Sequence, residues 1–579
     1  MSKSETRDNM RIDWDVPIEM DDGLILRADI FRPIDDSIKY PVIMSHGPYA
    51  KGLATQDGYP TVWGMLIADH PDVAEGSTNQ YQSWEVVDPE KWVPHGYVCV
   101  RVDSRGAGRS PGFIDHWSPR ESKDYYDCIE WAAVQAWSDG KVGLNGISYY
   151  AINQWHVASL NPPHLEAICT WEGAADFYRD MSRHGGILCT FLANWYDMQV
   201  KTVQHGLGDN GPNNRVTGDT VCGPATLSDE ELEENRIDLG AKINQHPFDG
   251  DYYRERSANL SNVTVPLLSA ANWGGQGLHP RGNIEGFLQA ASSQKWLATH
   301  GLEHWTHFYT DYGRQLQMAF FDHFLKGEDN GWAERPPITL QVRHVDHFEQ
   351  RFEKAWPIDR TKWTPHYLKP QTMELTTSTP SDDQSINYEG FSDGVTFLTG
   401  PMTDETEITG PIKAKMYVSS ETKDADLFLV MRLFTPDLKE IVFPGTLDPN
   451  TPIAQGWLRA SRRKLDPEKS TEYRPYHTHD EDQFLVPGDI YELDIEVWPT
   501  CIVVPVGYRI GLSVRGKDYV YPGQTEFRLS NMKNNFTGCG PFLHDDPVDR
   551  PAEIFGKSVT VHCSPEHPSH LILPIIPAD

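Results

Sequence analysis

The stretch Lys141-Val142-Gly143-Leu144-Asn145-Gly146-Ile147-Ser148-Tyr149-Tyr150-Ala151 constrains this chain more than any other. Val142 and Leu144 give a short apolar segment that reads as a buried strand. It runs into a tight turn at Ser148 and then into a helix beginning near Tyr149. Gly146 lets the backbone pass where a Cβ would clash. A serine at such a strand-to-helix turn has the form of a nucleophile elbow, which lifts Oγ above the edge of a sheet. The helix behind it offers N–H groups and a positive dipole end to a developing oxyanion. The second glycine of the G-x-S-x-G pattern is absent, because Tyr150 stands there. Gly-x-Ser also fits a plain turn between strand and helix, so the flanking sequence decides.

Around the elbow, strands and helices alternate. Ile18, Leu24, Leu26 and Ala28 predict an antiparallel hairpin turning at Asp21-Asp22-Gly23. Pro41-Val42-Ile43-Met44 and Tyr97-Val98-Cys99-Val100-Arg101-Val102 predict strands, separated by an irregular insertion over 52–90 rich in Gly, Pro and aromatics. Tyr125, Cys128, Ile129, Ala132 and Trp137 sit at helical spacing and predict a helix over 121–137, stopped by Asp139-Gly140. Another strand is predicted at Leu165–Trp171. This alternation from 40 to 172 is the pattern of a parallel sheet covered on both faces. It breaks at 177–262, read as an inserted helical cap, and resumes with strands at 265–270 and 295–298 and helices at 281–292 and 313–326. Beyond 335, strict alternation as in Ile412-Lys413-Ala414-Lys415-Met416-Tyr417-Val418 predicts an all-β domain of sandwich or jelly-roll type. The expected organisation is an α/β core over 1–176 and 263–335, a cap over 177–262 and a C-terminal β domain over 336–579.

Composition excludes several function classes. The chain has 579 residues, with 51 Lys and Arg against 83 Asp and Glu, a net charge of −32. Such a surface repels nucleic acid and anionic membranes. The 8 cysteines are scattered without a C-x-x-C pair. They read as reduced thiols, and with an N-terminus lacking an apolar core they point to a cytoplasmic protein. No apolar run is long enough to span a membrane. His477-Thr478-His479-Asp480-Glu481-Asp482 has donor types suited to a divalent cation, but its place far from Ser148 reads as a solvated loop.

A serine nucleophile needs a base, and the base an orienting acid, in the chain order Ser, acid, His. The loop after the last core strand offers His300, His304 and His307. Position alone leaves the three equal.

With these blocks in hand, the chain resembles the cocaine esterase/X-Pro dipeptidyl-peptidase type of hydrolase, the CocE/NonD group. Pro48-Tyr49, Arg105-Gly106-Ala107-Gly108-Arg109-Ser110-Pro111-Gly112, Trp137–Gly143 through Ser148-Tyr149, Gly456–Arg462 and Pro505–Leu512 resemble family blocks in the family's order. The absent second glycine is normal there. The resemblance implies an α/β-hydrolase core with a C-terminal jelly roll, Ser148 as nucleophile, His304 as base, and an oxyanion hole made by the Tyr149 N–H and the Tyr49 hydroxyl. It implies no metal and no organic cofactor, a small-molecule ester or amide substrate, and frequent dimerisation.

The chain departs from the family at the acid. A W-x-D block is expected after the penultimate strand, and here the sequence is Asn272-Trp273-Gly274-Gly275. Three accounts stand. Glu285 supplies the carboxylate from the following helix, Asp176 supplies it from beyond the strand at 165–171, or a neutral group such as Asn272 assists a Ser–His pair. The expected activity is hydrolysis of a carboxylic ester or amide through an acyl-enzyme. An acyltransferase, a C–C hydrolase using the same serine, and an inactive ligand-binding member remain as alternatives. Trp195, Tyr196 and Trp273, with aromatics of 52–90, either line a substrate pocket or pack the core.

Overall fold

A central parallel strand is buried on both faces and needs an apolar or small sequence without polar alternation. Every residue of Tyr40–Gly47 and Val98–Asp103 is buried, the polar His46, Arg101 and Asp103 at their C-terminal ends included. The computed structural model describes residues 3–523, 527–530 and 532–578. Its strands, in chain order, are β1 (Lys3–Arg7), β2 (Met10–Glu19), β3 (Ile25–Arg32), β4 (Tyr40–Gly47), β5 (Val98–Asp103), β6 (Ser138–Ile147), β7 (Leu165–Trp171), β8 (Arg183–His184), β9 (Ile187–Leu188), β10 (Leu267–Asn272), β11 (Lys295–His300), β12 (Ile338–Arg343) and β13 (Phe348–Glu353). Among the described residues, all but the β8–β9 pair join one sheet in the order β1-β2-β3-β5-β4-β6-β7-β10-β11-β12-β13. Pairing is parallel from β5 through β12 and antiparallel at both ends. The β2–β3 hairpin turns at Asp21-Asp22-Gly23, with Gly23 at φ 80°.

Helices cover the sheet. Pro119–Ala133 starts at a Ser118 cap, whose side chain accepts the Glu121 N–H at 3.3 Å. Tyr125, Cys128, Ile129 and Ala132 are its buried stripe. The helix ends at Ala133, short of the expected 137. Val134 leaves helical geometry (φ −94°, ψ 2°), and β6 already begins at Ser138, with Gly140 in the left-handed region. Tyr149–Ala158 lies between β6 and β7, Pro280–Gln289 between β10 and β11, and Asp311–Lys326 between β11 and β12.

The segment between β7 and β10 holds short helical turns, such as Phe191–Trp195, Asp229–Glu234 and Leu239–Gln245, with the β8–β9 hairpin. Residues 362–576 build a second, twelve-stranded β assembly. Its long strand Thr406–Ser420 turns Ile408, Ile412, Ala414, Met416 and Val418 into a separate apolar core. The first sheet reaches further than the sequence suggested. β12 and β13 lie beyond 335 yet extend it, because Ile338, Leu340 and Val342 pack with Leu297 and Ala271 in a cluster that also takes Cys501 and Val503.

Buried ion pairs join the parts. Arg281, on helix Pro280–Gln289, is 3% exposed and lies between Asp180 Oδ1 at 2.8 Å and Glu496 at 3.0 Å. It thus bonds the core helix to the cap and to the β assembly. Removing one partner of a buried pair leaves an uncompensated charge, at a cost of about 3–5 kcal/mol. Arg281→Ala is therefore expected to lower the unfolding free energy of the first urea transition by that amount, read as a lower midpoint. A midpoint equal to wild type would show that this three-way pair does not hold the parts together.

Candidate active site

The elbow is held under backbone strain. Ser148 has φ 55° and ψ −113°, a conformation that non-glycine residues rarely adopt and that persists only when the surroundings enforce it. They do so by hydrogen bonds: Ser148 N–H to Trp171 C=O at 3.0 Å, Ile147 N–H to Glu85 C=O at 2.9 Å, and Ile152 N–H back to Ser148 C=O at 2.8 Å. A Cβ on Gly146 would stand 2.4 Å from the Tyr150 Cβ and 3.2 Å from the Glu85 carbonyl oxygen. Tyr150 finds its room at Gly47, where a Cβ would meet its ring at 2.6 Å. A tyrosine thus fits where the simpler motif has glycine.

Of the three competing histidines, His304 is the one beside Ser148. Both line one pocket, together with Glu85, Tyr49 and His279. His304 Nδ1 bonds Glu172 Oε2 at 2.8 Å and His304 Nε2 bonds Glu85 Oε1 at 2.9 Å. His300 Nε2 bonds the other Glu172 oxygen at 2.9 Å. His307 meets His300 only ring to ring, at 5.5 Å, and burial lowers its pKa to about 3. His279 stacks on His304 at 5.2 Å, its pKa lowered to about 3 by burial.

The carboxylate behind His304 is Glu172, and neither expected acid reaches the site. Glu285 faces Arg474 and Gln289. Its helix turns that face toward the β assembly and away from the pocket. Asp176 caps the turn Phe177–Ser182, accepting the Tyr178 and Arg179 N–H groups at 3.0 and 2.9 Å, and pairs with the Arg179 guanidinium at 2.8 Å. Glu172 is the first residue after β7. The strand registers Trp171↔Ala270 and Asn272↔His300 bring three strand ends together there. Glu172 is fully buried, with φ 49° and its N–H bonded to Ala270 C=O at 2.7 Å. Asn272 ends β10, just before the Trp273-Gly274-Gly275 that stands where W-x-D was expected, and donates its Nδ2–H to Glu172 Oε1 at 3.0 Å and to Leu302 C=O at 2.8 Å. The carboxylate has moved one strand inward, and an amide now orients it. The order Ser148, Glu172, His304 keeps nucleophile, acid and histidine in sequence. The missed signal was a carboxylate directly after a parallel strand that neighbours the nucleophile strand, where such sheets place their ligand-binding groups.

The electrostatics follow from burial and pairing. Burial pushes the Glu172 carboxyl up, but the charge of His304 and hydrogen bonds from both histidines outweigh it and hold the carboxyl below the usual range. Burial would lower His304; Glu172 and Glu85 outweigh that and raise its pKa from 6.5 to about 9. Glu85 is raised, chiefly by burial.

Tyr49 follows β4. It is buried, and its hydroxyl oxygen accepts the Trp195 indole N–H at 3.0 Å, which leaves its own proton to donate. Burial raises that phenol well above 10.0, so it stays neutral. The Tyr149 N–H opens helix Tyr149–Ala158 and has no acceptor within the helix. The Tyr149 phenol bonds Glu121 at 2.6 Å. The pocket encloses about 580 Å³, its open mouth included. Its walls are apolar: Trp84 from the 52–90 segment, Phe191 and Trp195 from the cap, Leu447 and Phe542 from the β assembly. Trp273 lies outside it, its ring tilted against Trp356 at 6.0 Å and its N–H on Gln341 C=O, and Tyr196 packs against His116.

Glu172, His279 and His304 converge within 4.8 Å, a spacing a cation could use. Both Glu172 oxygens and both His304 nitrogens hold side-chain hydrogen bonds, and His279 meets the pair through its ring stacked on His304. His477 and His479, expected in a solvated loop, are buried. His479 packs on the Tyr178 ring at 5.1 Å, and the His477 carbonyl accepts from Arg179 at 2.8 Å. They tie the β assembly to the cap.

The family model for X-Pro dipeptidyl-peptidase (S15 family) matches residues 22–309, and that for the X-Pro dipeptidyl-peptidase C-terminal non-catalytic domain matches 330–572. A cocaine esterase from Rhodococcus sp. is 25% identical over 98% of this chain and 99% of its own. A solved CocE/NonD family hydrolase from Staphylococcus aureus is 33% identical, with a TM-score of 0.83 over 98% of this chain and 94% of its own. The chain belongs to the CocE/NonD family of hydrolases. A solved α-amino acid ester hydrolase, 16% identical with a TM-score of 0.65, shares the fold. This CocE/NonD member is a serine hydrolase of esters or amides. Among its described residues no helix is long and apolar enough to cross a membrane.

In this CocE/NonD hydrolase the His304 proton is bound more tightly in the folded than in the unfolded state. The stabilisation is full below 6.5 and is lost as pH rises through about 9. The stability difference between wild type and His304→Gln, from chemical unfolding, is expected to shrink by up to about 3 kcal/mol between pH 6 and 10. A difference independent of pH would contradict the raised proton affinity.

Proposed function

We propose that Ser148, His304 and Glu172 act as nucleophile, general base and orienting acid in hydrolysis of a carboxylic ester or amide through an acyl-enzyme. The observation that carries this reading is the His304 ring, bonded through Nδ1 to a fully buried carboxylate, in the pocket it shares with a strained Ser148. Glu172 fixes the Nδ1–H tautomer and stabilises the imidazolium that forms when His304 takes the Ser148 proton. Oγ attacks the carbonyl carbon and the C=O pair moves to oxygen. The Tyr149 N–H and the neutral Tyr49 hydroxyl donate to that oxygen. The leaving alcohol or amine takes the proton from His304. Water, deprotonated by the same histidine, then releases the acid and restores Ser148.

The apolar walls favour a small uncharged or aromatic acyl or alcohol group, and exclusion of water strengthens each hydrogen bond to the oxyanion. A ligand-binding member without activity has no use for a strained serine or a carboxylate-backed histidine. Transfer of the acyl group to an amine or alcohol uses the same intermediate; an added nucleophile that partitions the product separates it from hydrolysis.

A fluorophosphonate is expected to label wild type and not Ser148→Ala. On an activated ester, Glu172→Gln is expected to lower kcat roughly 10³–10⁴-fold, and Tyr49→Phe roughly 10²–10³-fold. Glu285→Gln and Asp176→Asn are expected to stay within about threefold of wild type. Unlabelled wild type, or full turnover by Glu172→Gln, would overturn the assignment.

A further inference from the structure

His304 has two carboxylates, and a base needs one. Glu172 holds Nδ1; the nitrogen that has to take the Ser148 proton, Nε2, bonds Glu85 Oε1 at 2.9 Å. Among the described residues Ser148 Oγ has no hydrogen-bond partner. Glu85 is no stray surface chain. It is 4% exposed, it has φ 63°, and its Oε2 is buried without a partner. Its carbonyl accepts the Ile147 N–H of the elbow strand. Arg101 clamps its segment from both sides, donating to Tyr81 C=O and Val87 C=O at 2.6 Å each. The backbone that carries the carboxylate is therefore held in place beside the elbow.

With both carboxylates ionised, each accepts from one ring nitrogen, and the ring then carries both hydrogens, as an imidazolium. A ring in that state has no lone pair for Ser148. We propose that Glu85 is a positioning residue that holds the Nε2 proton of His304 and sets the pH above which the histidine serves as base. This deepens, and rests on, the reading of Ser148 and His304 as nucleophile and base. When the shared proton leaves for solvent, no hydrogen remains between Nε2 and Oε1. The Nε2 lone pair is then open to the Ser148 hydroxyl on the same pocket wall.

The groups facing the pair do not titrate in its place. Around Glu85 stand the phenols of Tyr49, Tyr59, Tyr150 and Tyr309, all raised by burial above their ordinary 10.0. Around His304 stand Glu172, held ionised, and His279, held neutral with its pKa near about 3; His300 occupies the far oxygen of Glu172. The raised proton affinity of His304 agrees with a second anion on its ring.

Glu85→Gln keeps the shape and removes the charge. The test is the pH dependence of kcat/KM on p-nitrophenyl acetate and of fluorophosphonate labelling, in wild type and Glu85→Gln, beside a titration of the His304 ring by ¹⁵N NMR. Wild type is expected to gain activity along an acid limb centred near about 9. In Glu85→Gln that limb and the ring titration are expected to move down together by at least one pH unit, so that the variant labels at least tenfold faster near pH 7. A limb and a ring titration both unmoved, or a loss of rate equal at every pH, would overturn the proposal. Failure of wild type to label at any pH, with the ring titration still shifted by Glu85→Gln, would sink the catalytic reading and leave the Glu85–His304 pairing standing.

Discussion

The site rests on one buried charge. Glu172 has no access to water, and an unpaired carboxylate there would cost several kcal/mol. Its oxygens take hydrogen bonds from His304, His300 and Asn272, three residues from β10, β11 and the loop beyond. Each donor is in place only when β7, β10 and β11 pair in register. The register is in turn set by strands whose C-terminal halves, beside the site, are wholly buried. A slip of one residue would turn every side chain to the opposite face and strip the carboxylate of its donors. The carboxylate that orients the histidine therefore also penalises any misaligned sheet edge.

How much was legible in the sequence follows from how local each signal is. The elbow was legible because a strand, a glycine and a helix start are written within eleven consecutive residues. The hairpin at Asp21-Asp22-Gly23 and the alternating strand at 412–418 were legible for the same reason. The acid was not. Gly275 occupies the place where a W-x-D block would carry it, and Glu285 and Asp176 offered carboxylates nearby in the chain. What separates Glu172 from them is side-chain direction at a strand end, which depends on the pairing of β7 with β10. Arg474 and Arg179, which hold the rival carboxylates, lie in other elements or within the capped turn. Glu85 was hidden for another reason. Its segment has no periodicity, and its position comes from long-range bonds to Arg101, Ile147 and Tyr309.

That the core sheet runs on past residue 335 was hidden on a similar ground. Alternation marks an antiparallel strand but does not say which sheet it joins. β12 is the last parallel strand of the core sheet, and Arg343 at its end donates to Cys501 C=O, Ile453 C=O and Thr500 Oγ1 of the other assembly. A buried guanidinium satisfied only by the neighbouring assembly makes the two parts one unit at this edge.

The β assembly also takes part in the site. The His304 N–H donates to Thr446 C=O at 3.0 Å, and the Thr446 N–H donates to Gly274 C=O at 3.0 Å. The loop carrying His304 is thereby strung between Glu172 on one side and the 444–448 loop on the other. Phe542 and Leu447 close the same pocket from that side, opposite Trp195 of the cap. The imidazole is thus held by Glu172 and Glu85 of the core and its backbone by the β assembly, while the apolar walls of the pocket come from the core, the cap and the β assembly. In such a site an ion pair or a hydrogen bond to an oxyanion acts through a low dielectric, where its strength far exceeds that in water. The cap and the β assembly therefore contribute to the chemistry without supplying a reacting group. They make the site dry, and dryness is what allows two carboxylates to govern one histidine.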